Sequence, residues 1–335
     1  MTWRGAMRSL AAASRAAERE SNRRHRALLR QQQQLVKQAV LQQASLEAQL
    51  YEAQMARLLS VHQECAEAWD WEALAQVEAP QRPEPMNESE QSAQLMLDQY
   101  SPGFFDRLFS REAAKRADLE QRLEQAKEED RKVNLDRQQH FQKEFEEWQT
   151  MTDVAKGVLG HDLESYKKAL EEANPLSEIS DLGSSITLRS GEPWYMEASI
   201  AVRGSDVVPT EIKTLTQSGK LSVKKMPQGQ FNQTYQDYVC SSAIRVGREL
   251  FALLPIDMVF VHALDDLLNT ATGYRAKAAI LSVALTRLGL AELNFETVDC
   301  SDAMQNFVCN MRFSKTNGFS AVDQLDPTQF SSKPS

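Results

Sequence analysis

The stretch Leu170-Glu-Glu-Ala-Asn-Pro-Leu176 separates two kinds of sequence. Upstream of it, helix formers dominate and apolar residues recur at steps of three, four and seven. Downstream, short β-branched and aromatic runs alternate with clusters of Gly, Ser and Pro. Pro175 marks the change, because its ring fixes φ and removes the N–H that a helix interior needs. The expected fold class is α+β, with long N-terminal helical, coiled-coil arms and then a compact mixed α/β C-terminal domain.

Toward the N-terminus, residues 111–174 read as a helical arm. Its seam runs through Leu119, Leu123, Ala126, Asp130, Val133, Arg137, Phe141, Phe145, Trp148, Thr152, Ala155 and Leu159. Steps of four and three are the spacing of a supercoiled contact. Asp130 and Arg137 interrupt the seam, and polar groups there fix register or oligomer state. Gly157 and Gly160 weaken the helix near its end. Residues 79–110 read as a linker, with Pro80, Pro83 and Pro85, a polar stretch from Met86 to Ser92, and an aromatic knot from Tyr100 to Phe109. Residues 1–78 form a first arm, helical to about Val77. The arms pair either between chains, giving a homo-oligomer, or within one chain as a helical hairpin.

Toward the C-terminus, residues 175–325 form the α+β domain. Strands are expected at Gly183–Arg189, Trp194–Arg203 and Val207–Leu215, then a loop over Thr216–Gln230. A helix follows over Phe231–Leu254, closed by Pro255. Strands at Asp257–Ala263 and Lys277–Arg287 come next, then a helix over Asp299–Cys309 with Ser301 as its N-cap. Residues 326–335 read as a polar tail. On the long helix, Tyr235, Tyr238, Ser242, Arg245 and Glu249 form a stripe. It either lines a binding groove or packs as a hydrogen-bonded face against the sheet.

Charged residues are 25% of the chain and hydrophobic ones 42%, which supports a packed core rather than disorder. The net charge of −9 is unevenly placed. Residues 1–30 carry eight Arg against two Glu, and residues 31–202 carry 32 acids against 17 bases. Residues 203–248 are basic again, seven against three. Such blocks point to electrostatic partners. Cys65, Cys240, Cys300 and Cys309 form no C-x-x-C pair, so no disulfide partner is expected and a cytoplasmic, reducing location follows. No transmembrane segment is expected, since no apolar run reaches spanning length. The Arg-rich start also has the composition of a mitochondrial transit peptide. Together with Phe104–Phe109 it carries a membrane-surface reading.

Phosphate-loop, dinucleotide-binding, zinc-protease and nucleophile-elbow motifs are all missing. His62 and Cys65 share a helix face without the further ligands that zinc needs. The one arrangement with catalytic potential is Glu211-Ile-Lys213 on the third strand. It resembles the core of the PD-(D/E)xK nuclease superfamily. The chain as a whole resembles bacterial coiled-coil proteins that end in a restriction-endonuclease-like domain. The resemblance implies that Glu197, on the preceding neighbouring strand, and Glu211 hold Mg²⁺, while Lys213 steadies the attacking water. Asp181 is a further acid under this reading. Lys220, Lys224, Lys225, Arg245 and Arg248 would neutralise nucleic-acid phosphates. The chain departs from the pattern at Pro209, two residues before Glu211. Phe231 and Thr234 stand where one nuclease branch has the Gln of its Q-x-x-x-Y signature.

Two functions are therefore expected. The first is a non-enzymatic interaction or scaffold protein without a cofactor, oligomeric through its arms, whose C-terminal domain binds a partner such as nucleic acid. The alternative is a Mg²⁺-dependent nuclease acting on DNA or RNA.

Overall fold

A computed structural model of the chain describes residues 3–102, 111–177, 185–202, 204–268 and 272–330, with side chains from residue 28 onward (204 and 205 excepted). Asp181, the knot residues Phe104–Phe109 and the Arg side chains of the basic start, Arg30 excepted, lie outside the described residues. The architecture is α+β, with long N-terminal helices followed by a sheet-containing domain. No described helix is long and apolar enough to cross a membrane. The chain divides into two compact units, residues 1–67 with 174–335, and residues 68–173.

In the first unit, helix α1 spans Trp3–Leu59. The central sheet has six strands: β1 (Ser185–Arg189), β2 (Tyr195–Ala201), β5 (Met258–Leu268), β6 (Arg275–Thr286), β7 (Val308–Ser314) and β8 (Gly318–Ser320). They lie in that spatial order, and all neighbours are antiparallel except β2 and β5. A parallel neighbour needs a long crossover. Here it contains a separate two-stranded hairpin, β3 (Glu211–Leu215) and β4 (Leu221–Lys225), and a 26-residue helix, Gln228–Leu253, called αL below for its length.

Alternation gives the sheet two unlike faces. Met196, Ala198, Ile200, Val259, Val261, Leu281, Val283 and Leu285 point one way and are fully or almost fully buried. Val239, Ala243, Val246 and Leu250 of αL are equally buried and belong to the same core. Burying each such aliphatic side chain contributes roughly 1.5–3 kcal/mol. Gly247 lets helix and sheet approach, since a Cβ there would sit 2.5 Å from Leu285 Cδ1. The opposite face carries Tyr195, Phe260 and Ala284, packed by Trp194, Met258, Leu325 and Phe330.

Several local expectations need correction. Gly204–Val207 is a helical turn, and the third strand begins only at Glu211. The expected loop after it closes the hairpin instead, turning at Gly219 with φ +75°. The expected helix at Asp299–Cys309 is one turn, Cys300–Ala303, capped by Asp299 rather than Ser301, and Val308 onward is strand. The segment after Asp326 is not a free tail as far as Phe330, whose ring packs 5.0 Å from that of Phe260. The first arm leaves its helix at Leu59, not near Val77. Tertiary hydrogen bonds take its backbone there, and they outweigh propensity.

The second unit contains α2 (Trp71–Ala75), α3 (Glu88–Asp98), α4 (Glu112–Leu159) and α5 (Leu163–Ala173). The seam read along α4 faces this chain's own upstream segment. Trp148 Nε1 donates to the Val77 carbonyl at 2.8 Å, and Arg137 to the Glu84 carbonyl at 3.2 Å. Asn134 pairs both ways with the Met86 backbone. Asp130 accepts from the Glu90 N–H at 2.8 Å. It thereby caps α3, whose own N-cap residue, Asn87, makes no capping bond. That backbone hydrogen bond holds the Asp130 carboxyl below the usual carboxylate range. The polar linker of the sequence reading is thus an extended strip followed by a capped helix.

At the α4–α5 corner His161 takes a left-handed φ of 57°, and a Cβ on Gly157 would overlap Ser165 Oγ at 1.9 Å. Asn174 ends α5 with φ 40°, a conformation Asn tolerates, just before Pro175.

Candidate functional site

Three groups of polar side chains stand out in the first unit. The deepest lies on the aromatic face of the sheet. Register places Ser199, His262 and Ser282 side by side on β2, β5 and β6, with Glu197 two residues before Ser199 on the same face. His262 Nδ1 is 2.8 Å from Ser282 Oγ, which also accepts the Leu325 N–H at 2.9 Å. His262 Nε2 lies 3.7 Å from Glu197 Oε2. Burial pushes the His262 imidazole down, toward its neutral form. Burial pushes the Glu197 carboxyl up, Arg189 opposes this, and Asp326 adds to it. Only the hydroxyl and imidazole share a hydrogen bond; among the described residues His262 Nε2 makes none, so the chain is broken before the carboxyl. Ser282 and His262 are buried beneath the segment that carries Leu325, whereas Glu197 is partly exposed.

The second group surrounds Lys213. Its Nζ lies 3.2 Å from Glu47 Oε2 of α1. A shallow groove of about 250 Å³ is lined by Glu47, Tyr51, Gln54, Thr210, Glu211 and Lys213. Glu211 sits opposite Lys225 across the hairpin, on the same face. Glu197 was expected on the strand beside Glu211, but the two belong to different sheets. The parallel neighbour of Glu197's strand is β5, reached only after the hairpin and αL have intervened. The acids expected to hold Mg²⁺ therefore do not lie on adjacent strands, and Lys213 is engaged by Glu47. Among the described residues no group of three or more His, Cys, Asp or Glu is placed to hold a metal ion.

The third group fastens the end of α1 to αL. The His62 N–H donates to Ser241 Oγ at 2.9 Å, and His62 Nε2 lies 3.1 Å from the Phe295 carbonyl. Arg248 donates to the His62 and Gln63 carbonyls and stacks 3.8 Å above the Phe295 ring. Glu249 accepts the Ala66 N–H at 3.2 Å and pairs with Arg245 at 2.7 Å, both acid and base being buried. Arg245 and Arg248, expected to meet phosphates, are thus occupied inside the protein. Lys224 and Lys225 are exposed on β4, and Lys220 is exposed at the turn before it. The Tyr, Arg and Glu stripe is a buried face, with Tyr235 donating to Asp265 at 2.8 Å.

Sequence reasoning missed the partners His62, Glu47 and His262. The first two come from an arm read as separate from the domain. The available signal was Arg245 and Glu249 at i, i+4 in the largely apolar second half of αL. It also missed Asp237, whose carboxyl is pushed up to about 6, first by burial and then by Asp299. The nearby thiols are raised by burial, Cys300 to about 12 and Cys309 to about 11. All four cysteines are free.

Comparison with known proteins gives no match to a family model, a curated protein or a solved structure.

Proposed function

We propose that the chain is a non-enzymatic interaction protein that self-associates through α1. One observation carries this reading. Leu28, Leu35, Leu46 and Leu50 are each 56–60% exposed along one side of the helix, while Ala44, Ala48 and Leu58 are buried. Val36 and Val40 widen the exposed stripe. A contiguous apolar stripe of that length on a water-facing helix marks an interaction surface, and its spacing suits a second helix. In this reading the protein is cytoplasmic, where its four free thiols stay reduced. The lysines of the hairpin, Lys220, Lys224 and Lys225, offer a nucleic-acid contact to the assembled protein. Each phosphate they neutralise would steepen the salt dependence of binding by about 0.9 in logarithmic slope.

Sedimentation equilibrium tests the reading directly. The wild type is expected to be a dimer or higher oligomer at micromolar concentration, and Leu35→Glu with Leu46→Glu a monomer of unchanged helicity. A monomeric wild type sinks the proposal. The nuclease reading is tested on the same preparation with Mg²⁺ and single- or double-stranded nucleic acid. Cleavage that disappears in Lys213→Ala would replace the scaffold reading with the enzymatic one.

A further inference from the structure

We propose that the groove built from Trp69, Trp71 and the α4–α5 corner of the second unit is a docking site for a basic peptide segment. The site is separate from the α1 stripe and does not depend on it. Trp69 and Trp71 stack with ring centroids 5.1 Å apart and planes 23° apart. Trp71 is buried, while Trp69 is 42% exposed. Asp70, between them, turns its carboxylate inward to cap α2, accepting from the Ala73 N–H at 2.9 Å. The pair is therefore a fixed aromatic wall. Opposite it lie Met151, Val154 and Ala169, and the groove encloses about 520 Å³. That volume is within the range of ligand pockets, about 300–1,000 Å³.

The rim decides the ligand's charge. Glu146, Glu147 and Glu172 all line the groove. The Glu146 carboxylate accepts from the neutral amide of Gln142, and Glu147 meets Lys143 at 3.8 Å across an exposed pair. Glu172 makes no salt bridge among the described residues. The whole unit carries 24 acids against 14 bases, so an anionic ligand is repelled before it arrives. A cation gains twice, from the carboxylates and from the Trp69 ring face. The apolar floor beyond the rim calls for an aliphatic residue next to the cation, which a small amine lacks. Arg or Lys alternating with Leu in an extended segment meets both needs.

The probe is an end-capped hexapeptide of alternating Leu and Arg, titrated calorimetrically into the full-length protein. The control peptide carries Glu in place of Arg. Saturable binding of the basic peptide alone is expected. Trp69→Ala should weaken it about tenfold. The triple variant Glu146→Gln, Glu147→Gln, Glu172→Gln should weaken it at least as much and flatten its salt dependence. Circular dichroism reports folding of each variant, and the glutamine triple decides if Trp69→Ala unfolds. Equal binding of both peptides, wild-type affinity in the folded variants, or no saturation at millimolar peptide each overturns the proposal. None of these outcomes bears on the oligomeric state, so the two readings fail independently.

Discussion

Asp237 is the residue whose environment most clearly costs the fold stability. Its Oδ1 is buried without a hydrogen-bond partner among the described residues, and its pKa is pushed up to about 6 by burial and then by Asp299, with Ser301 opposing. The folded state therefore binds this proton more tightly than the unfolded chain does. Relative to the protonated state, stability is lost as pH rises from the unfolded value of 3.8 toward 6. Partial exposure screens the effect, leaving roughly 1–2 kcal/mol at neutral pH. Asp237→Asn is expected to raise the thermal midpoint at pH 8 and leave it unchanged at pH 4. Equal shifts at both pH values would mean that charge is not the cause. Glu197 and His262 show how a single residue misleads. Glu197 was legible as an acid on a strand, but its neighbour is set by sheet order, and no local pattern specifies that a parallel strand arrives 60 residues later.

At the scale of elements, helix propensity and apolar spacing identified α1, α4 and αL, and β-branched, aromatic or continuous apolar runs identified β1, β2, β5 and β6. It failed where an element is held by something remote. Helix α3 was read as linker because Met86–Ser92 is polar, yet its cap comes from Asp130 on α4. The same carboxylate looked like a defect in a coiled-coil seam. Asp130→Ala tests the exchange, since Ala is the better helix former within α4. If capping is its role, the variant lowers the unfolding midpoint and speeds amide exchange across Glu88–Asp98. A raised midpoint would restore the seam-defect reading. The hairpin strand β4 was missed for a different reason. Leu221–Lys225 is too polar and short to announce a strand, and only pairing with β3 makes it one.

For the whole molecule, charge and apolar surface make opposite demands. The chain is net acidic at −9, so copies repel at long range, while the α1 stripe is apolar and unscreened by salt. Raising the salt from 50 to 500 mM is therefore expected to leave self-association unchanged or to strengthen it. Weakening would show that ion pairs, such as basic start against acidic arm, hold the copies together. The split at Pro175 was legible, but its meaning was not. The boundary between arm and domain was placed by composition, whereas contacts assign residues 1–67 to the same unit as the sheet. The link runs through carbonyls and amide protons of His62, Gln63 and Ala66, which carry no sequence signal.

Because the first unit is built from two separated stretches of chain, it cannot close when its first stretch leaves the ribosome. Residues 68–173 must be made before any strand of the sheet exists. They form a compact unit of their own and can fold meanwhile. Throughout that interval α1 has no sheet domain to fasten its C-terminal end, and its leucines are already exposed. If α1 self-associates as proposed, nascent chains on one polysome can meet through that helix before either finishes, and assembly then precedes completion of the fold.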